Sequence, residues 1–252
     1  METYTLMLIA LSFLLISCFY SMAGFGGGSS YLAILSLIFH DFYFIRTNAL
    51  LCNIAVVSIG CWLAHKEGKL HFRKIVPYAL LSVPAAFFGA QVKLSERTFF
   101  VILGTALIFS AFALFLQKNK THALTPQKPV LLASFAGGGI GFLSGMVGIG
   151  GGIFLSPILN LLHWEKAKDA ARISGFFILV NSVSGLSGLV LTGAFSSSLL
   201  LALVLLTAVI IGGYTGTKIS LKRLDGALVR KVTGILVFAV GIRLLLIYGF
   251  NF

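Results

Sequence analysis

Stretches such as TYTLMLIALSFLLISCFY from Thr3, RTFFVILGTALIFSAFALFL from Arg97 and SSLLLALVLLTAVIIGGYTG from Ser197 run almost without charge. Each reaches or approaches the roughly 20 residues with which a helix crosses a bilayer core. Only 10% of the chain is charged, against about a quarter in a soluble domain, so lipid solvates most of its surface. In lipid every backbone polar group must be satisfied within the protein, which leaves helices as the spanning element for runs of this length. The expected fold is all-α and polytopic. The first run carries Glu2 and no Lys or Arg ahead of it, which separates it from a signal peptide and marks a retained span.

The spans expected are 4–23, 45–64, 74–92 and 97–116, then 130–147, 168–191, 198–217 and 227–248. A polar linker, QKNKTHALTPQKP from Gln117 to Pro129, separates residues 1–116 from 130–252. After the first span the chain reads GFGGGSSYLAIL from Gly24, and 124 residues later it reads GIGGGIFLSPIL from Gly148. At that offset Met22 falls on Met146, and Gly24, Gly26, Gly27 and Gly28 fall on Gly148, Gly150, Gly151 and Gly152. Ile34, Leu35 and Leu37 likewise fall on Ile158, Leu159 and Leu161. A shift of two residues brings Arg46 onto Arg172. The chain is an internal duplication.

The runs after the glycines, Ser29–His40 and Ile153–His163, are too short to cross a core of about 30 Å at 1.5 Å per residue. They are predicted as half-helices. If each break turns the chain back, the loops 65–74, 117–129, 163–172 and 217–231 share one face and carry 4, 3, 3 and 5 Lys/Arg, 15 of the 19 present. The positive-inside rule then makes the linker cytoplasmic and places both termini outside. Each half holds three full spans plus a re-entrant element, so the second half is inverted relative to the first. Inverted repeats with paired broken helices are the build of secondary transporters.

A half-helix N-terminus presents free N–H groups and the positive end of the helix dipole, which together suit an anion. Glycine lets the backbone come close to that anion and adopt positive φ. The expected substrate contacts are Gly26, Gly27, Gly28, Ser29 and Ser30 in the first break and Gly150, Gly151, Gly152 and Ile153 in the second. Asn48, Asn53, Ser174 and Asn181 follow in the next spans; Asn48, Ser174 and Asn181 join the candidate set. For any of these, a helix–helix hydrogen bond stands level with a ligand contact; glycine in a membrane helix often serves close packing, but duplication ahead of runs too short to span favours a functional break. Arg46 and Arg172 are candidates for drawing anions to each mouth, the plainer reading being arginines that snorkel to the interface.

His40 and His163 close the half-helices and are not read as metal ligands. Cys18, Cys52 and Cys61 sit in apolar runs without metal or disulfide spacing and read as packing residues. All seven acids are read as loop or span-end residues, so no buried carboxylate relay is expected. There is no GxxxxGK[ST] or HExxH sequence and no catalytic acid–His–Ser set, so neither an enzyme nor a cofactor is expected. The formal charge of +12 follows from basic loops flanking spans, and nucleic acid is not an expected partner.

The paired glycine motifs, the length and the central linker resemble the TauE/SafE sulfite-exporter family, over nearly the whole chain. The resemblance implies an inner-membrane transporter of sulfur oxyanions or organosulfonates, usually directed outward. The residues by themselves reach a small anion. In place of the apolar or proline-containing start frequent in the family, the first motif here has Ser29–Ser30–Tyr31, so the two halves of the cradle are chemically unequal. Rival readings are transport of another small anion or a metal cation, or a membrane scaffold that moves nothing.

Overall fold

The computed structural model describes residues 3–70, 72–116, 130–162, 164–165, 167–222, 234–235, 238–239 and 241–249. These residues form helices and short connections, without a strand among them. In chain order the helices are α1 (Thr3–Met22), α2 (Gly28–Ser36), α3 (Phe42–Lys66), α4 (Phe72–Gln91) and α5 (Glu96–Leu116). They continue with α6 (Val130–Val147), α7 (Gly152–Leu161), α8 (Ala167–Leu191) and α9 (Leu199–Lys222). A last segment, 241–249, ends as a π-helical turn. A helix occupies each of the first seven expected spans, and no end is displaced by more than five residues. The eighth, 227–248, lies only partly within the described residues, and the linker 117–129 lies outside them.

Five of the described helices, α1, α3, α6, α8 and α9, are long and apolar enough to cross a membrane. Their outward side chains, including Leu131, Leu191 and Leu199, are large, apolar and exposed. A surface of that kind belongs in lipid. The core runs from Phe13 and Tyr31 through Leu103 and Leu107 to Phe177 and Leu205.

The two half-helices are shorter than expected. α2 ends at Ser36, because the N–H groups of Leu37, Ile38 and Phe39 turn back onto Ile34 and Leu35. His40 therefore stands outside the helix. Asp41 then caps α3, its carboxylate accepting from Tyr43 N–H at 2.9 Å and Phe44 N–H at 3.3 Å. α7 ends at Leu161, and His163 lies outside the described residues. With nine and ten residues, the half-helices extend about 14 and 15 Å.

The tightest helix pairs are α4 with α6 and α1 with α9, which exchange under the 124-residue offset. Small residues bring both pairs together. A Cβ at Gly137, Gly141 or Gly145 would collide with the backbone of Tyr78, Ser82 or Ala86 on α4. Gly212 and Gly216 of α9 face the Leu14 and Cys18 carbonyls of α1 in the same way. Ser134 of α6 donates to the Pro77 carbonyl at 2.7 Å, and Ser184 of α8 donates to that of Val83 at 2.5 Å. These bonds fasten both helices to α4, which carries Pro77 and Pro84 in its interior.

Polar bonds show which helix ends share a face. Arg46, near the start of α3, reaches carbonyls at the ends of α4 and α6, and Ser196 ahead of α9 donates its N–H to Thr47. Leu50 packs with Ala90 and Leu189, at the ends of α4 and α8. On the opposite face Lys74, at the start of α4, pairs with Glu165 and Asp169 at the start of α8. Thus α3 and α8 run antiparallel, as do α4 and α9.

Candidate substrate site at the paired helix breaks

α1 and α6 end in left-handed glycines at equivalent places, Gly24 with φ +80° and Gly148 with φ +85°. Three residues on, Gly27 and Gly151 take φ +95° and +79°, and each starts a half-helix. The carbonyl of Gly27 accepts the N–H groups of Ser30 and Tyr31, and that of Gly151 accepts those of Phe154 and Leu155. The N–H groups ahead of these lie before the first intrahelical bonds, as at any helix start. Side chains other than glycine occupy such φ values at a cost of about 1–3 kcal/mol.

The two breaks meet. A Cβ at Gly28 would stand 2.6 Å from the Ile149 carbonyl oxygen, and Asn53 of α3 lies between the two segments. Its Nδ2 donates to Ile149 O at 3.0 Å. The same amide occupies the space that side chains at Gly26 and Gly28 would need, and it lies 3.1 Å from a Cβ built at Gly150. Asn53 is fully buried, and its Oδ1 has no hydrogen-bond partner among the described residues. Asn53 stood among the polar span residues in the sequence but outside the candidate set. Only the contact between the breaks singles it out.

Around the second break the polar groups are unsatisfied. Ser182 Oγ lies 2.9 Å from a Cβ built at Gly150, Ser144 Cβ 3.1 Å from one at Gly151, and the Ser174 carbonyl 2.8 Å from one at Gly152. The hydroxyls of Ser144, Ser174 and Ser182 are buried without a partner. Asn181 donates to the Phe177 carbonyl at 2.9 Å, one turn back on its own helix, while its Oδ1 is unpartnered. A buried polar group left unpaired costs about 1–3 kcal/mol, which sets this cluster apart from the bonded serines of the first break. Ser144 and Ser182 were not legible as site residues; a hydroxyl in an apolar helix carries no signal until the fold places a break against it. Ile153 is buried beside them in the opening turn of α7.

The first break differs. Ser29 and Ser30, expected as hydroxyl donors to the substrate, are engaged by Tyr20 of α1, whose OH lies 3.2 Å and 2.6 Å from their oxygens. Tyr31 stacks on Phe13 with ring centroids 4.6 Å apart. These contacts clamp α2 to α1, so the serines seat the half-helix. Asn48 is also reassigned. Its Nδ2 donates to Phe44 O at 2.8 Å and its Oδ1 accepts from Ser197 Oγ at 3.0 Å. Both ends are satisfied away from the breaks, where Asn48 ties the segment ahead of α9 to α3.

The two arginines are not alike. Arg172 is partly exposed and pairs with Asp169 at 3.0 Å, in a shallow cleft with Lys69, Lys74 and Ile173. Arg46 is fully buried, against both the mouth and the snorkelling readings. Its Nη2 donates to Ala90 O at 3.0 Å and Gly145 O at 2.8 Å. The negative dipole ends of α4 and α6 hold it inside the bundle. Glu165 is a second departure, since this loop acid is buried and accepts from Lys74 at 3.1 Å. The described cysteines are unpaired, and no group of three or more His, Cys, Asp or Glu among the described residues could share a metal ion.

Broken helices that meet inside an apolar bundle are the architecture of a membrane transporter. The chain belongs to the sulfite exporter TauE/SafE family, whose model matches residues 9–244. A probable membrane transporter protein of Sinorhizobium fredii is 32% identical over 244 residues, covering 94% of this chain and 97% of the relative. A probable membrane transporter protein of Haemophilus influenzae is 25% identical over 236 residues, covering 86% of this chain and 87% of the relative. No solved structure matches the chain.

Proposed function

We propose that this transporter carries a small anion, a sulfur oxyanion or organosulfonate, held between the two helix breaks and exported across the inner membrane by alternating access. The observation that carries the reading is the meeting of the breaks at Asn53, with three unpartnered serine hydroxyls around the second. Half-helix N–H groups and hydroxyls donate to oxyanion oxygens. Asn53 Oδ1, an acceptor, suits the one donor that a monoprotonated oxyanion carries. The sulfur chemistry comes from the family.

Residues 1–116 and 130–252 are then the two inverted repeats, and rocking one against the other would open the site alternately to each face. The basic loops make the Arg172 face and the linker 117–129 cytoplasmic and leave both termini outside.

The test is flux in proteoliposomes with sulfite, thiosulfate, a small sulfonate, sulfate and chloride, for wild type, Gly27→Val, Gly151→Val and Asn53→Ala. Selective flux of a sulfur anion, lost in variants that remain folded, is the expected result. No flux of any anion, with the variants folding like wild type, would leave the glycines as packing elements and end the reading.

A further inference from the structure

We infer that Arg46 binds the transported anion directly and that the anion is its missing counter-ion. Arg46 has no exposed surface, and arginine remains protonated at any physiological pH. The ion pairs among the described residues, Lys69–Glu67, Lys74–Glu165, Lys74–Asp169 and Arg172–Asp169, all lie elsewhere. The two carbonyls that Arg46 does reach consume the Nη2 donors only. Nε and Nη1 are buried with no acceptor, which leaves three N–H groups unbonded and, among the described residues, a full positive charge that helix ends offset in part but no carboxylate pairs.

Its position sets the stem of that side chain against the second break, with the guanidinium on the Gly145 carbonyl three residues ahead of it. A Cβ at Gly148, the residue that opens the second break, would lie 3.2 Å from Arg46 Cγ and 3.3 Å from its Cβ. At the end of α4, beside the Ala90 carbonyl that holds Arg46, Gln91 carries a buried Nε2 that is also unpartnered. The equivalent arginine in the second half, Arg172, is already neutralised by Asp169. The duplicated pair is thus split into one arginine with an internal carboxylate and one without. Sulfite, sulfate and sulfonate groups each offer several oxygens to N–H donors that point in different directions around a guanidinium. The inference rests on the transport reading for the identity of the anion as cargo.

The experiment is thermal unfolding of purified full-length protein in detergent, titrated with sulfite, a small sulfonate, sulfate and chloride at constant ionic strength. It is run on wild type, Arg46→Lys, Arg46→Gln and Asn53→Ala, with proteoliposome flux alongside. A ligand that binds only the folded state raises the unfolding temperature in a saturable way. Wild type is expected to show such a shift for at least one sulfur anion. Arg46→Gln, folded by size exclusion, is expected to lose it, and Arg46→Lys to keep it with at least tenfold weaker apparent affinity. If Arg46→Gln does not fold, Arg46→Lys alone decides, because a merely structural arginine would leave the apparent affinity unchanged.

Unchanged anion shifts in the Arg46 variants overturn the inference while wild-type flux leaves the transport reading standing. No saturable shift by any anion in wild type overturns it outright, and absence of flux as well removes the transport reading with it.

Discussion

Asn53 shows what one polar side chain does where two backbones come close. Its amide fills the gap beside Gly26 and Gly28 and fastens the first break to Ile149 of the second. Gly26→Ala, at ordinary φ, would push a methyl to within 2.5 Å of Asn53 Oδ1. The expected outcome is a folded protein whose flux falls at least tenfold, read in proteoliposomes beside a size-exclusion profile; unchanged flux would remove Asn53 from the site. Tyr20→Phe tests the clamp on α2. It deletes the bonds to Ser29 and Ser30 and is expected to lower stability by about 1 kcal/mol, the scale of a hydrogen bond inside a membrane protein. Equal denaturation midpoints in a mild-to-denaturing detergent series would refute that role.

At the scale of elements, the glycines divide into two kinds that composition does not separate. At the breaks Gly24, Gly27, Gly148, Gly150 and Gly151 hold positive φ, whereas those on α6 and α9 remove bulk so that helices can touch. α6 contains its own control. Gly145 has no room for a side chain against the Ala86 carbonyl, while Gly139 has nothing within 4 Å. Gly145→Val should cost about 1–3 kcal/mol, as overpacking does, or prevent folding. Gly139→Ala should be neutral or slightly stabilising, since alanine is the better helix former. Parallel expression and thermal-unfolding profiles check the pair, and equal behaviour would mean that α4 and α6 do not pack on these glycines.

On the scale of the whole molecule, the antiparallel setting of α3 against α8 and of α4 against α9 separates two faces. The Arg46 face is held by Ser197 on Asn48 and Ser196 on Asp41, and the other by Lys74 on Glu165 and Asp169. In a background lacking Cys18, Cys52 and Cys61, cysteines placed at Lys69 and Lys218 should react from the cytoplasmic side only. One placed at exposed Ser198 should react from the opposite side only. Labelling of Lys69→Cys and Lys218→Cys from opposite sides would overturn the inverted arrangement.

The sequence by itself determined the spans, the duplication and the shortness of the half-helices, because apolar run length and glycine placement act locally along the chain. It also marked the breaks as places where φ turns positive, since few residues other than glycine go there readily, but that Gly27 does so and Gly26 does not came from the fold. What only the tertiary structure decided is which polar groups are left without partners. Ser29 and Ser174 both stand as candidates in the sequence, yet Tyr20 engages one and no described residue bonds the hydroxyl of the other. Arg46 and Arg172 look equivalent, yet one is buried against helix ends and the other meets a carboxylate three residues back. Hydrogen-bond satisfaction and charge pairing depend on neighbours as far as 155 residues away along the chain, so they exist only once the helices have packed.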